Sequence, residues 1–579
     1  MALHLLKSFR NRWSDASRLI LDDEWISPSV QRSFLRTAIP FVQLRTSGSR
    51  VQDALALLLP ILILLHLSIS LPLAYFLNVW LDEAFSLHTT SRSLGYALSD
   101  ALHFERQAPA YFVLLYFWRL VNGSVFFARC LSILFTVLVL VVAGGLARRY
   151  LNGLHPVWPV AALAFNPFLI WAATEIRAYA LVLLLSALLL LLFYDAYLSD
   201  TPRNTAHKWY VLVSVLSLYT YYYLGLLLFA HGLVLLLLRR KAPLYRYCLG
   251  MALVSLCFLP MLFLIPTQLR EATAQSLTGP SFLDVARIIR WRIMDYLLPQ
   301  SWPSFIGIRK WALIGAPVAG LIMAFARRNR VFALPNVAVA ITLASMSLMF
   351  LPIMRLTGLE LMEPRHTAVL FLPAILFLYV ILRSAHTALG LASWTVITLM
   401  FSMSSLYVSY LPMAKIGDWD RVARHISSLE ILGQPILVYR PGNTFALEYY
   451  YSGVNRILPV LRKQPVRATP WDSYGVGNGQ HGEVTPLSRL PDTHQSVWLL
   501  TSGCAHYDAQ GACRELDTIL LERYYVASDK SFFQSRVRLL HRRPNWMEER
   551  GGPEQGGTAH DIRHSPWNPE GVRTTEGKG

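Results

Sequence analysis

The stretch NVWLDEAFSLHTT, residues 78–90, decides how this chain folds, because two adjacent carboxylates stand directly behind a long apolar run. The preceding residues, from Ala54 to Leu77, contain no Asp, Glu, Lys or Arg. A window of roughly 18 or more such residues can cross the ~30 Å hydrocarbon core of a bilayer. Asp82 and Glu83 are therefore predicted to lie where the chain leaves a membrane. Charges are costly at such a position and are usually retained for a function.

Composition places the chain among the membrane proteins. Of its 579 residues, 54% are hydrophobic and only 15% are charged, and the mean hydropathy is +0.39. Ordinary soluble domains are less apolar than this. Because several uncharged windows follow one another between Ala54 and Ala414, we expect an all-α polytopic membrane protein.

The net charge of +18 raises the alternative of a nucleic-acid partner. Much of the excess, however, lies in short basic clusters between apolar runs, such as Arg148–Arg149 and Arg239–Lys241. The positive-inside rule already accounts for clusters of this kind. We therefore expect membrane lipids, and no nucleic acid, as partners. Residues 1–50 are polar and basic and lack the apolar core of a signal peptide, which predicts a cytoplasmic N-terminal segment.

The uncharged windows are the predicted membrane spans. If the N-terminal segment and the basic clusters are cytoplasmic, every other loop and the C-terminus lie outside. The windows are Ala54–Leu77, Cys130–Ala147, Val157–Thr174, Ala178–Tyr194, Trp209–Leu238, Leu249–Ile265, Trp311–Ala326, Val331–Met354, Thr367–Leu382 and Thr387–Ala414.

One window, Trp209–Leu238, is too long for a single upright helix and too short for two spans of ~20 residues each. Both of its flanks are basic, which places both of its ends in the cytoplasm. We therefore predict a hairpin of two short helices that turns at Tyr219–Gly225. This raises the expected number of spans to eleven and leaves a recess in the outer leaflet.

The predicted topology collects ionisable side chains at the outer helix mouths. Arginine binds phosphate oxygens bidentately, and a carboxylate can bond sugar hydroxyls or act as a general base on an attacking hydroxyl. A substrate that carries both hydroxyls and a phosphate would suit this set. Its members are Asp82, Glu83, Glu105, Arg106, Glu175, Arg177, Glu363, Arg365 and His366.

Each of these features also has a purely structural interpretation. Trp80 to Glu83 alone is typical of an interfacial helix with a tryptophan anchor and solvated acids. Glu175 and Arg177 are only two residues apart, and i,i+2 side chains diverge on a helix, so ion pairs with other partners would explain them. Arg129 could extend to the lipid headgroups, and the tyrosines at 219–223 could form an aromatic belt.

The order of six sequence blocks resembles that of a known family. These blocks are similar to the polyprenyl-phosphate-sugar-dependent glycosyltransferases of the GT-C fold, and most similar to the protein O-mannosyltransferase and aminoarabinose-transferase-like group. The resemblance covers roughly residues 50 to 412. The blocks are WLDEAFS (80–86), QAPAYFVLLYFW (107–118), FFARCLSILF (126–135), TEIRAYALVLLLSALLLLLF (174–193), LYTYYYLGLLL (218–228) and EPRHTAVLFLP (363–373).

The resemblance implies an inverting sugar transfer on the outer face. Asp82 would deprotonate the acceptor hydroxyl as it attacks the anomeric carbon, and Arg365 would bind the donor phosphate. Glu83 would contact donor or acceptor, and a divalent ion at the two acids stays open. The implied catalytic residues are Asp82 and Glu83, and the implied substrate-binding residues are Arg106, Gln107, Pro109, Tyr111, Glu175, Arg177, Tyr179, Tyr221, Arg365 and His366.

Some positions depart from the family pattern. Ala108 replaces a proline of the block that starts a juxtamembrane helix outside the bilayer, Tyr221 replaces a common histidine, and His366 replaces a common tyrosine. These departures leave the donor sugar and the acceptor open. The acceptor alternatives are lipopolysaccharide, another envelope glycan and a protein Ser or Thr.

The sequence predicts four regions. They are a cytoplasmic segment 1–50, a GT-C transmembrane catalytic domain 51–414 with an external loop 78–124, an extracytoplasmic α/β domain 415–545, and a disordered tail 546–579. The α/β domain would recognise the acceptor or cap the site. Cys504 and Cys513 could form a disulfide if this domain lies outside, or remain thiols.

We thus expect a membrane glycosyltransferase of the bacterial inner membrane that uses a polyprenyl-phosphate-sugar donor. The alternative from another class is a polytopic transporter or lipid flippase. A transporter would more often have repeated halves and ionisable residues near the bilayer midplane. The sequence shows no internal repeat, and its polar residues collect at one face.

Overall fold

The chain is mostly helical and ends in a region that contains a mixed β-sheet. The computed structural model describes residues 50–151, 156–268, 281–299, 334–357, 365–385, 388–439, 442–461, 485–486, 494–502, 513, 516, 518 and 520–544. Several predictions fall outside these residues: most of the N-terminal segment, the span Trp311–Ala326, Glu363, Cys504 and the tail 546–579.

Within the described residues the chain forms seventeen α-helices, α1 to α17 in chain order. They are α1 Arg50–Phe76, α2 Leu81–Thr89, α3 Leu94–His103, α4 Ala110–Val121, α5 Val125–Tyr150, α6 Val157–Ala164, α7 Pro167–Ala173, α8 Tyr179–Phe193, α9 Asn204–Thr220, α10 Leu224–Leu237, α11 Lys241–Leu262, α12 Phe282–Leu297, α13 Leu334–Thr357, α14 Phe371–Ala385, α15 Ala388–Tyr410, α16 Trp419–Leu429 and α17 Asn443–Glu448.

Several helices have the length and apolarity of membrane spans. Within the described residues five qualify by both measures: Leu58–Phe76, Val125–Tyr150, Tyr179–Leu198, Lys241–Leu262 and Leu334–Met354. Three shorter apolar helices accompany them, at Ala110–Val121, Leu224–Leu237 and Ala368–Leu382. The chain is therefore an integral membrane protein, as its composition predicts.

Helix α8 lies at the centre of the helical region. It packs closely against α5 and α9, and almost every one of its residues is buried. The sequence of this helix is a nearly unbroken run of Leu, Val and Ala, and a helix that is apolar all round is typical of a position surrounded by other helices.

The long window Trp209–Leu238 forms two helices, as predicted. Helix α9 ends at Thr220 and α10 begins at Leu224, so the chain turns at Tyr221–Tyr223. Tyr221 is extended (φ −159°, ψ 114°), which ends the helix without glycine or proline. The turn brings three tyrosines to the end of the helical region that also contains Arg365, since the Tyr221 hydroxyl donates to the Arg365 carbonyl at 3.0 Å.

The window Val157–Thr174 differs from the expected single helix. It forms two short helices, α6 and α7, that are separated at Phe165–Asn166. The Asn166 side chain accepts a hydrogen bond from the Phe168 backbone, and Pro167 occupies the first helical position. Asparagine at the N-cap followed by proline is a strong helix-start signal, which restarts the helix inside the apolar window.

The C-terminal region contains a six-stranded mixed sheet. Its strands are β1 Ile436–Tyr439, β2 Ile457–Leu461, β3 Thr485–Pro486, β4 Ser496–Ser502, β5 Tyr524–Phe532 and β6 Ser535–Arg542, in the order β3-β2-β1-β4-β6-β5. Strands β1 to β4 pair in parallel, whereas β6 is antiparallel to β4 and β5. The central strand β1 is a continuous apolar run, and β4 contains a run of four apolar residues at 497–500, because both faces of these strands are buried.

The hairpin formed by β5 and β6 was not predicted from the sequence. Its turn contains Gln534 at φ +58°, a left-handed conformation for which glycine or asparagine is the usual signal. The edge strand β5 is mostly exposed, so it also lacks the apolar run that marks β1 and β4.

Helix α17, which follows β1, packs against α2, which follows the first span. The Phe445 ring lies edge-on to Phe85 at 5.2 Å between centroids and to His88 at 5.1 Å. At the other end of α17, the Tyr450 hydroxyl accepts a hydrogen bond from the Val79 backbone at 2.6 Å. The C-terminal region is thus packed directly on the helix that carries the two adjacent acids.

The cysteines divide into two groups. Cys130, Cys248 and Cys257 are free thiols; Cys130 is half-buried, whereas Cys248 and Cys257 are exposed and do not belong to the core that their apolar runs predicted. Cys513 takes part in a disulfide.

Candidate active site at the outer helix mouths

Helix α2 directs its two acids into different surroundings. The helix begins after Trp80, whose backbone N–H donates to the Glu83 carboxylate at 3.4 Å. Both acids lie in the first turn, where the helix dipole favours negative charge. Successive side chains on a helix point about 100° apart, at 3.6 residues per turn. Asp82 and Glu83 consequently enter two separate charge networks.

The first network surrounds Glu83. The Arg129 Nε and Nη2 atoms donate to its two carboxylate oxygens at 2.9 and 2.7 Å, and both side chains are completely buried. The remaining Arg129 N–H groups donate to the carbonyls of Ala74, Leu77 and Asn78. These carbonyls belong to the end of α1 and the residues after it, where a helix leaves its last C=O groups without partners. Arg129 therefore joins three segments and does not extend to the lipid headgroups.

Lys415 completes this first network. Its Nζ atom lies 3.0 Å from Glu83 Oε1 and 2.9 Å from Glu175 Oε1, and it donates to the Thr174 carbonyl at 2.8 Å. Glu175 also accepts a hydrogen bond from the Trp80 indole at 2.5 Å. Two carboxylates and two cations thus form a neutral buried group, which we call the inner quartet: Glu83, Arg129, Glu175 and Lys415.

The second network surrounds Asp82. Arg365, which precedes α14, forms an ion pair with the Asp82 carboxylate, and Arg177 Nη2 lies 3.9 Å from the same oxygen. Arg177 Nη1 also donates to both oxygens of Glu105 at 2.8 Å and to the Ser86 hydroxyl at 3.0 Å. We call this neutral group the outer quartet: Asp82, Glu105, Arg177 and Arg365.

The outer quartet is the more accessible of the two. The Arg365 side chain is 14% exposed and that of Asp82 is 2% exposed, whereas Glu83 and Arg129 are at 0%. Arg365 is therefore the most exposed charged side chain of the two quartets. The accessible cation and its carboxylate partner form the reactive candidate pair.

Burial and neighbouring charges set the protonation of the acids in opposite directions. Burial alone would raise the pKa of Glu83, but Arg129 and Lys415 together hold that pKa below its ordinary value. Burial raises the pKa of Glu105, and Arg177 only partly offsets it. Burial likewise raises the pKa of Glu175, against the opposing effect of Lys415. Of these three glutamates, Glu83 is consequently the one whose ionised form is favoured most.

Several other predicted site residues lie around the outer quartet. Tyr221 bonds the Arg365 backbone. Tyr179, at the start of α8, stacks on Trp171 at 4.9 Å. The His366 ring lies 6.4 Å from that of Tyr223, and burial lowers the pKa of His366 to about 3, so this histidine is neutral at physiological pH.

The block between α3 and α4 shapes the outer loop. Arg106 adopts a left-handed conformation (φ 53°), and the Gln107 amide donates to Glu105 at 3.4 Å. Pro109 caps the start of α4, and Tyr111 is buried within that helix. Within this block, the Gln107 amide is the group that contacts Glu105, the partner of Arg177.

Lys415 was not among the site residues predicted from the sequence, and Arg129 binds Glu83 instead of extending to the lipid headgroups. Lys415 is the first charged residue after the last apolar window, and this position is the signal that could have identified it. The expectation that Glu175 and Arg177 pair with other partners agrees with the structure, since they belong to different quartets.

Among the described residues, no group of three or more His, Cys, Asp or Glu side chains has the arrangement of a metal site. The two adjacent acids of α2 are directed to different cations, Glu83 to Arg129 and Asp82 to Arg365.

Two crystal structures are similar to this fold. ArnT from Cupriavidus metallidurans bound to undecaprenyl phosphate matches with a TM-score of 0.50 and 13% sequence identity, over 85% of this chain and 99% of that chain. The apo state of ArnT from the same organism matches with a TM-score of 0.51 and 13% identity, over 84% and 98% of the two chains. This chain has the fold of ArnT.

The resemblance predicted from the sequence blocks is thereby confirmed at the level of the fold, which spans both the helical region and the C-terminal region. No protein-family model and no curated protein sequence matches the chain. The roles of individual residues consequently rest on the geometry of the two quartets.

Proposed function

We propose that this chain is a membrane glycosyltransferase that transfers a sugar from a polyprenyl-phosphate donor to an acceptor hydroxyl outside the cytoplasm. The observation that carries the proposal is the ion pair of Asp82 with Arg365, 283 residues later in the chain, beside Arg177. A general base next to two guanidinium groups suits a hydroxyl that attacks a phosphate ester of a sugar. The similar structure of ArnT contains undecaprenyl phosphate, which supports a donor of this class.

The charge balance of the outer quartet gives the donor a way to activate the base. The quartet is neutral as it stands, with two acids and two arginines. A donor phosphate is a stronger bidentate partner for Arg365 than a single carboxylate oxygen. When the phosphate binds Arg365, Asp82 loses its principal cation and its carboxylate becomes available to the acceptor hydroxyl.

The reaction is an inverting displacement at the anomeric carbon. The acceptor oxygen forms the new bond to this carbon while its proton passes to the Asp82 carboxylate. The bond between the anomeric carbon and the phosphate oxygen breaks, and the polyprenyl phosphate leaves with the electron pair. Arg365, assisted by Arg177, compensates the negative charge on the leaving phosphate.

In this mechanism Glu83 is a positioning residue and not a catalytic one. Its carboxylate is completely buried and is occupied by Arg129 and Lys415. It therefore fixes the orientation of α2, from which Asp82 reaches the reacting atoms. This assignment revises the expectation that Glu83 contacts the donor or the acceptor.

The positive-inside rule supports an outer location for the site, because the basic clusters at Arg148–Arg149 and Arg239–Lys241 lie at the opposite ends of the helices. We therefore place the enzyme in the bacterial inner membrane with the site facing the periplasm. The acceptor class is lipopolysaccharide, another envelope glycan or a protein Ser or Thr.

The test replaces Asp82 by Asn in cells that otherwise lack this protein. Mass spectrometry of envelope glycans and proteins is compared after complementation with wild type, Asp82→Asn and the control Asp284→Asn, whose side chain is 47% exposed. We expect wild type and Asp284→Asn to restore one sugar modification. We expect Asp82→Asn to lower the amount of this modification at least ~100-fold, because a general base contributes about this factor to the rate. The purified Asp82→Asn protein should still bind undecaprenyl phosphate. Full restoration by Asp82→Asn would refute the assignment of the base.

A further inference from the structure

Lys415 lies at the junction between the last helix and the C-terminal region. It follows α15 and precedes α16, within the connection 411–418. Its backbone N–H donates to Asn78 Oδ1 at 2.6 Å, in the connection between α1 and α2. Its side chain is only 8% exposed, although a lysine at a helix mouth would usually extend to solvent.

The Lys415 ammonium bridges two acids that belong to separate segments. Glu83 lies on α2, and Glu175 lies in the short connection between α7 and α8. The Ile176 N–H also donates to Glu83 at 3.2 Å, so this connection and α2 meet at the same oxygen. Without Lys415 the two buried carboxylates would share one cation, Arg129, and would repel each other.

The charges of the inner quartet cancel only when Lys415 is present. Burial and Arg129 hold the pKa of Lys415 below its ordinary value, and Glu175 and Glu83 offset only part of this effect. The ammonium donates to three oxygens, which uses all of its N–H groups. A buried ion pair is tolerated when its hydrogen bonding is complete. Removal of one partner leaves the other charge buried and unpaired, which strongly destabilises the folded protein.

We propose that Lys415 is a positioning residue for sugar transfer: it holds Glu83 and Glu175 together, and so fixes the helix that presents Asp82 to the substrate. This inference rests on the proposed function. It also assigns a role to the C-terminal region, because the connection that enters this region supplies the cation that orders the site.

The test is a charge-compensation cycle with three variants. Lys415→Met leaves the inner quartet with one excess negative charge, Glu175→Gln leaves it with one excess positive charge, and the double variant restores neutrality. The matched control is Lys241→Met, since Lys241 is an exposed lysine at the start of α11. Thermal unfolding, binding of undecaprenyl phosphate and sugar transfer are measured between pH 5 and pH 8.

At pH 8 we expect Lys415→Met to lower the transfer rate by roughly 100-fold or more, because loss of one partner from a buried pair disfavours the ordered arrangement of the inner quartet by at least that factor. The double variant should recover most of this loss, and Lys241→Met should match wild type. Lys415→Met should also recover as the pH falls, because protonation of either carboxyl group makes the quartet neutral again. Among the described residues, the titratable groups that interact with this quartet from outside it include Tyr111, Tyr410, Tyr449 and Tyr450, and neither tyrosine nor Arg129 ordinarily titrates in this range.

A purely structural role for the lysine stem predicts a different result. The double variant would then be as impaired as Lys415→Met at every pH, and this outcome would overturn the proposal. If wild type bound undecaprenyl phosphate but transferred no sugar, the proposed function would fail. The unfolding temperatures of the four variants would still decide whether the charge of Lys415 orders the inner quartet.

Discussion

The most direct prediction concerns the two adjacent acids of α2, because the structure gives them different roles. Glu83→Gln keeps the size of the side chain and its ability to accept a hydrogen bond from the Trp80 backbone. It removes the negative charge that Arg129 and Lys415 bind at 2.7 and 3.0 Å. We expect this variant to lose stability, and transfer only as a consequence.

The magnitude follows from the geometry. At ~3 Å and an effective dielectric constant of ~20, each cation contributes about 5 kcal/mol of Coulomb energy. Desolvation of the buried groups offsets much of this sum, and removal of one partner from a buried pair costs about 3–5 kcal/mol in measured cases. At about 2 °C per kcal/mol, the melting temperature should fall by about 6–10 °C.

The pH dependence provides a second criterion. The pKa of Glu83 is held below its ordinary value, against the effect of burial, by Arg129 and Lys415. The stabilisation is therefore complete above the ordinary pKa and is lost only as the pH falls through the lowered one. The difference between Glu83→Gln and wild type should consequently persist from pH 8 down to about pH 5, above the ordinary glutamate pKa of about 4.3.

The assay is thermal unfolding of purified protein in detergent, followed by intrinsic fluorescence. The control is Glu522→Gln, which removes an exposed acid from the C-terminal region and should leave the melting temperature unchanged. Asp82→Asn is compared in parallel and should change it less, because its partner Arg365 is partly exposed. If Glu83→Gln melted at the wild-type temperature, the inner quartet would not hold α2 and the division of roles would be wrong.

Two further predictions concern neighbouring contacts. Phe445→Ala removes the ring that α17 packs on Phe85. Transfer and melting temperature should both fall, with a stability loss of about 3 kcal/mol. The control Tyr525→Ala, at a 46% exposed position, should change neither. Burial lowers the pKa of His366 to about 3. Below pH ~6.5 the side chain is therefore protonated in the unfolded chain but stays neutral in the folded protein. Between pH 6.5 and pH 5, wild type should therefore lose up to about 2 kcal/mol more stability than His366→Gln. If the stabilities of the two proteins changed equally with pH, this assignment would be contradicted.

The apolar windows and the basic clusters are sufficient to predict that the chain spans a membrane. The helices at Val125–Tyr150 and Tyr179–Leu198 need only an uncharged run of sufficient length, which is a local property. The turn at Tyr221–Tyr223 was also predictable, because the length of the window and its two basic flanks leave few alternatives. The break at Asn166–Pro167 could have been predicted from its capping signal.

Only the tertiary structure decided which charge binds which partner. Asp82 and Glu83 are neighbours in the sequence, but their directions on α2 lead one to Arg365 and the other to Arg129 and Lys415. Those partners come from helix ends far along the chain, and a run of apolar residues does not specify how helices rotate and pack against one another. The sequence by itself predicts that acids and arginines gather at one membrane face, because the cost of placing a charge in lipid depends only on its position along the apolar segments. Their division into the inner quartet and the outer quartet depends on packing, since the burial of each side chain and its distance to a partner are set only when the helices pack together.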